Sequence, residues 1–115
     1  MQTNLAKDKI YDPLIAEVIP KFFKAFCDPT RIKIIEYLIE NEKNVTELTD
    51  LLGISQSGVS NHLACLKWCG FVTSKKEGRT IYYSVTDRRI KKIVEIAKQV
   101  IADNAENIYV CTRLK

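Results

Sequence analysis

One histidine and four glycines in 115 residues leave little from which to build a catalytic centre. There is no phosphate-cradling loop, no nucleophile–base pair and no recognisable pair of carboxylates, which argues against an enzyme. No stretch approaches 18 consecutive apolar residues, and the opening "MQTNLAKDKIYDPL" lacks the basic-then-apolar order of a secretory signal. We therefore expect no export, no membrane partner and a cytoplasmic location. Internal repeats, low-complexity linkers and a second domain are also missing. In a reducing compartment the four cysteines are expected as free thiols rather than a disulfide framework, available as core residues, metal ligands or redox groups.

What is present suits one compact domain spanning residues 1–115, with 46% hydrophobic and 28% charged residues. A net charge of +4 gives a modest attraction to polyanions that does not establish nucleic-acid binding, so the placement of the charges matters more than their sum.

Asp12-Pro13 offers an N-cap and first helical position, followed by Leu14, Ile15, Val18, Ile19, Phe22, Phe23 and Phe26 at helical spacing. Pro20 should kink or divide that helix. Asp28-Pro29 opens a second helix with Ile32, Ile35, Leu38 and Ile39 as its buried face. Asn44 and Glu47 resemble a capping box, Leu48, Leu51 and Leu52 face a core, and Gly53 suits a left-handed helix end. Ser55 then caps a helix carrying Val59, Leu63 and Leu66 on one side, so "LLGIS" is the turn of a helix-turn-helix. After Gly70 the period becomes two, with Ile81, Tyr83 and Val85 alternating and Glu77-Gly78 between two β-prone runs. Thr86-Asp87 starts a last helix bearing Ile90, Ile93, Val94, Ala97, Val100 and Ile101.

The order helix, helix, helix-turn-helix, hairpin, helix is that of a mainly α winged helix-turn-helix with a β-hairpin wing. We place the helix-turn-helix at about residues 45–69, the wing at about 71–85 and dimerisation helices at about 12–26 and 87–104. The terminal stripes carry more large apolar residues than a small lone domain can cover, hence a homodimer.

At about 100° per residue, Ser57, Ser60, Asn61 and Ala64 point away from Val59, Leu63 and Leu66. Polar residues on a surface helix are ordinarily just solvated, but within a helix-turn-helix they suit base edges and phosphates of double-stranded DNA. Gln56 lies near the helix N-terminus, where N–H groups favour an anion. Lys75, Lys76 and Arg79 at the hairpin tip suit phosphates or a minor groove rather than sequence discrimination. His62, one step from the core direction, reads as packed or bound to a phosphate, and Arg31 as a structural ion-pair partner.

Cys65 and Cys69 lie within about 40° of each other on the flank between the core and groove faces, where two thiolates can share an ion at roughly 2.3 Å for zinc. A third donor is needed, and Cys111 in the tail is the candidate. Either cysteine alone is more simply a small buried hydrophobe, and Cys27 reads that way. Thiolates without imidazole or carboxylate select soft ions, cadmium and lead foremost, with zinc, mercury and arsenite also compatible. Oxidation of the same thiols is a rival signal, although a disulfide within one helix constrains little. A repressor with purely structural cysteines is a third reading.

The stretches "FCDPTRIKIIEYL", "VTELTDLLGISQSGVSNHLACLKWCGFV" and "KKEGRTIYYSV", in this order over residues 22–101, resemble the ArsR/SmtB family of metal-responsive repressors. Within it, the Cys65/Cys69 pair and a cysteine near the C-terminus look like the CmtR-type cadmium/lead sensors. The resemblance implies a homodimer that holds its operator without metal and leaves when metal binds, with Cys111 contributed across the dimer. "TELTDLL" lacks the Cys-x-Cys pair of arsenic sensors, and the last helix lacks the histidines of zinc, cobalt and nickel sensors.

Overall fold

A computed structural model describes residues 12–108. Helix α1 (Pro13–Lys24) starts where Asp12 accepts the Leu14 N–H at 2.8 Å and Pro13 presets the first turn. It buries no residue within this chain. Contrary to expectation, Pro20 does not divide it. The ring removes only one backbone hydrogen bond, and the carbonyl it frees belongs to exposed Ala16, where water can satisfy it.

A 3-10 turn, Ala25–Cys27, leads to Asp28, whose carboxylate accepts the N–H groups of Thr30 (2.8 Å) and Arg31 (3.1 Å) and caps α2 (Pro29–Glu40). The Arg31 N–H is the main reason this carboxyl stays ionised below its usual range. Helix α2 lies at the centre, against the 3-10 turn, the sheet and both helices that follow. Covered from several sides, it buries Ile34 as completely as Ile35, while Ile32 and Ile39 are only partly covered. The expected single face is thus too narrow.

Helix α3 (Val45–Leu52) begins with the expected capping box: Asn44 Oδ1 accepts the Glu47 N–H at 2.8 Å, and the Glu47 carboxylate accepts the Asn44 N–H at 2.9 Å. Gly53 ends it at φ 68°, a left-handed conformation that glycine adopts without a Cβ penalty. Leu48 is buried but Leu51, expected to face the core, is 47% exposed, because an eight-residue helix presents one narrow edge to its neighbours. Ser55 Oγ then accepts the Gly58 N–H at 3.0 Å and starts α4 (Gln56–Trp68), which buries Val59, Leu63 and Leu66.

Strands β2 (Val72–Glu77) and β3 (Thr80–Val85) form the hairpin. Gly78 turns it at φ 64°. A two-residue strand, β1 (Lys43–Asn44), adds to β3 on the other side, giving a three-stranded antiparallel sheet ordered β1-β3-β2. Helix α5 (Arg88–Asp103) is capped by Asp87 and is followed, after a turn at Asn104, by a further helical turn over residues 105–108. Ile90 and Val94 join the core, while Ile96, Val100 and Ile101 are more than half exposed. An ion pair from Lys98 to Glu36 ties α5 to α2.

Phe71 is completely buried in the turn between α4 and β2. It stacks on Phe22 with centroids 4.4 Å apart and meets Phe26 edge-on at 4.7 Å. Its carbonyl accepts the Thr86 N–H at 2.9 Å, and the Thr86 hydroxyl donates to the Gly70 carbonyl at 2.6 Å. The end of α4 is therefore fastened to α1 through aromatic rings and to the start of α5 through two hydrogen bonds. No helix among the described residues is long and apolar enough to cross a membrane.

Candidate nucleic-acid interface and thiol pair

Burial of Val59, Leu63 and Leu66 turns the other side of α4 outward. Gln56, Ser57, Ser60 and Asn61 are all exposed there and, with Ser55, line an open polar groove. The face predicted for DNA thus exists as one surface. His62 is half-buried and lies near the start of α2, where its charge, after the backbone hydrogen bonds, helps hold Asp28 ionised. Arg31 makes no ion pair among the described residues, contrary to expectation. Its Nε donates instead to the Ala25 carbonyl at 3.0 Å, bracing the 3-10 turn.

The wing's register separates its cations. Lys76 pairs with Ile81 and shares the sheet face of Tyr83, which packs against the core, whereas Lys75 pairs with Tyr82 on the opposite face. Lys75 also lies 3.3 Å from Glu77, an exposed pair of little energetic weight that still offsets its charge. Arg79 is in the turn and exposed. Lys67 on α4 donates to Ser74 on β2 at 2.7 Å, which ties the last turn of the helix to the wing.

Cys65 sits in the last turns of α4 and Cys69 caps it, its N–H donating to the Cys65 carbonyl at 3.0 Å. Both thiols are free and half-buried. Burial pushes the Cys69 thiol above its usual pKa, and the neighbouring Cys65 adds to this through its charge and a hydrogen bond, with Arg31 opposing. Four residues apart, the two side chains lie on the same flank at the end of α4. Among the described residues no group of three His, Cys, Asp or Glu side chains surrounds a metal-sized point. Cys111 lies outside the described residues. Trp68, between the two cysteines in sequence, is 92% exposed.

Cys27 departs from its expected packing. It is exposed, its thiol 3.6 Å from the Phe23 carbonyl, because Ala25 takes the buried position of the 3-10 turn.

Residues 28–74 match the model of the "Bacterial regulatory protein, arsR family". A protein of Streptomyces lividans named "Probable mercury resistance operon repressor" is 40% identical over 94 residues, covering 82% of this chain and 75% of its own length. The chain belongs to the ArsR family. The regulator CmtR of Mycobacterium bovis is 34% identical over 91 residues, which are 78% of this chain and 77% of that protein. Among solved structures, M. tuberculosis Rv0081 superposes with a TM-score of 0.77 at 29% identity, over 85% of this chain and 98% of that one. This ArsR-family chain is a winged helix-turn-helix DNA-binding regulator, not an enzyme. Neither Phe71, which follows glycine at a change of period, nor β1, which is too short to show a period, carries a signal in the sequence pattern.

Proposed function

We propose that this ArsR-family regulator is a repressor that holds operator DNA as a homodimer and releases it when a soft thiophilic ion, cadmium or lead foremost, engages Cys65, Cys69 and Cys111. The observation that carries the reading is the placement of two free, half-buried thiols, Cys65 and Cys69, four residues apart at the C-terminal end of the helix whose other end presents Ser57, Ser60 and Asn61. An ion bridging these thiolates would tie the end of α4 to whichever segment supplies Cys111, in this reading the partner protomer. The name of one relative, a mercury resistance operon repressor, supports a thiophilic effector. Zinc, mercury and arsenite share the donor chemistry. Dimerisation is supported by the uncovered apolar side chains of α1 (Leu14, Val18, Phe23) and of α5 (Ile96, Val100, Ile101), each at least half exposed.

Linkage requires that ion and operator weaken each other's binding equally, on the order of 1 to 3 kcal/mol for typical coupling. The test is to titrate reduced protein with cadmium, lead, zinc and arsenite while following duplex binding and the fluorescence of Trp68, the sole tryptophan. Cys65→Ser and Cys69→Ser should abolish the response and keep metal-free DNA binding, and Cys27→Ser should remain inducible. A Cys65→Ser, Cys69→Ser double variant that still leaves DNA on cadmium addition would exclude the site. Release by oxidant but by none of the ions would favour the redox reading, which the same placement of two free thiols permits.

A further inference from the structure

Beside the exposed face of α4 lies a second concavity of about 410 Å3, between the helix-turn-helix and the wing. Its polar wall is formed by Thr46 at the start of α3, Gln56 and Ser60 on α4, and Arg79, Thr80 and Tyr83 from the wing. Every one of these side chains can donate a hydrogen bond, and none carries negative charge. The clefts flanking α2 are different: both contain Glu36 and Glu40. Arg79 forms no ion pair among the described residues, whereas Lys75 is matched by Glu77. A row of donors around an unmatched guanidinium is a receptor for an anion.

Position identifies the anion's source. Gln56 and Ser60 line both this cleft and the groove formed with Ser57 and Asn61, so a duplex seated on that groove carries its sugar–phosphate strand into the cleft. Ile81, 45% exposed in the same wall, offers an apolar contact that suits a deoxyribose and not a free ion. The cleft is also built to hold its shape. Strand β1 pairs Lys43 with Tyr83 and Asn44 with Tyr82 immediately before α3 begins, and so fixes the start of α3, with Thr46, relative to Tyr83 on the wing.

We infer that this cleft seats one backbone phosphate of the bound strand, and that Thr46, Thr80 and Tyr83 are DNA contacts alongside Arg79. The inference rests on the reading that the exposed face of α4 meets DNA. Because helix and wing each supply half the seat, it measures the distance from the groove to the flanking backbone. It contributes affinity without reading bases.

The test uses full-length reduced protein and a fluorescent duplex selected by that protein from a random pool. Tyr83→Phe keeps the ring in the core and removes only the hydroxyl, and should weaken binding by about 2- to 10-fold, the range of one hydrogen bond. Thr46→Val should do the same, and Arg79→Gln should cost at least as much. Replacing the duplex phosphates one at a time by neutral methylphosphonate should reveal one position per half-site at which these substitutions cost nothing further. If the wild type binds but all three variants bind within about twofold of it, or if no phosphate position removes their effect, the seat is refuted while the DNA-binding reading stands. Failure of the wild type to select any duplex would overturn both. Displacement of the duplex by inorganic phosphate at matched ionic strength would assign the cleft to a free anion instead.

Discussion

Replacing Phe71 by alanine removes the ring that joins the end of α4 to α1. The side chain is fully buried, and it meets Phe22 at 4.4 Å and Phe26 at 4.7 Å. Truncating a buried phenylalanine costs about 3–5 kcal/mol from lost transfer energy and the cavity left behind. Favourable aromatic pairs add roughly 0.5–1.5 kcal/mol beyond burial, part of which is already counted in truncation values, so we expect a loss of about 4–5 kcal/mol. That is a large part of the roughly 5–15 kcal/mol by which domains are stable. Urea unfolding of the reduced, chelator-treated protein followed by far-ultraviolet circular dichroism should show the midpoint falling by roughly 2 M at an m-value near 2 kcal/mol/M, with m unchanged. Measurements at several protein concentrations separate this loss from any change in dimer affinity. Phe71→Leu, closer in volume, should lose no more than about 1.5 kcal/mol and retain DNA binding. A Phe71→Ala variant destabilised by less than about 2 kcal/mol would show that the aromatic cluster is loosely packed and does not fasten α4 to α1.

Lys76→Gln should weaken binding to every duplex and lower the salt slope by about 0.9, with Lys75→Gln having the smaller effect because of Glu77 and its opposite sheet face; the reverse order would refute this orientation of the wing. Alanine at Ser57, Ser60 and Asn61 together should change preference among duplex variants, and unchanged preference would remove α4 from base recognition. Since the folded state raises the Cys69 pKa, stability from this group is fully present below the ordinary thiol pKa of about 8.5 and is lost as pH rises through the higher folded value. The same proton must leave on metal binding, so cadmium affinity should climb with pH through the neutral range and beyond about 8.5, and Cys69→Ser should flatten the profile; calorimetry in buffers of different ionisation enthalpy would expose an absence of proton release. Sedimentation at micromolar concentration should give two chains, and footprinting should give two half-sites roughly 34–36 Å apart; a monomer bound tightly to one half-site would contradict the dimer.

Local chemistry was legible in the sequence because it acts over a few residues. Asp12, Asp28, Asn44, Ser55 and Asp87 each cap the helix that follows, since a short polar side chain needs only an N–H two or three residues ahead. Val59, Leu63 and Leu66 are buried, and Cys65 and Cys69 share one flank, because helical periodicity alone decides which side chains share a face. Pro20 misled because its cost depends on whether water reaches the freed carbonyl, and Leu51 because amphipathic spacing does not say how wide a neighbour's cover is.

By itself the sequence determined the helices with their starts, the hairpin, the polar face of α4 and the proximity of its two thiols, all consequences of interactions within about four residues. Only the tertiary structure decided what depends on distant partners. It brought Phe71 between Phe22 and Phe26 and left Cys27 at the surface while Ala25 was buried. It also paired Lys43 and Asn44 with β3, which set the start of α3 and the wing around one cleft. A two-residue strand has no period and a lone aromatic has no pattern. Their places are set by loop closure and packing against residues tens of positions away, which spacing along the chain does not encode.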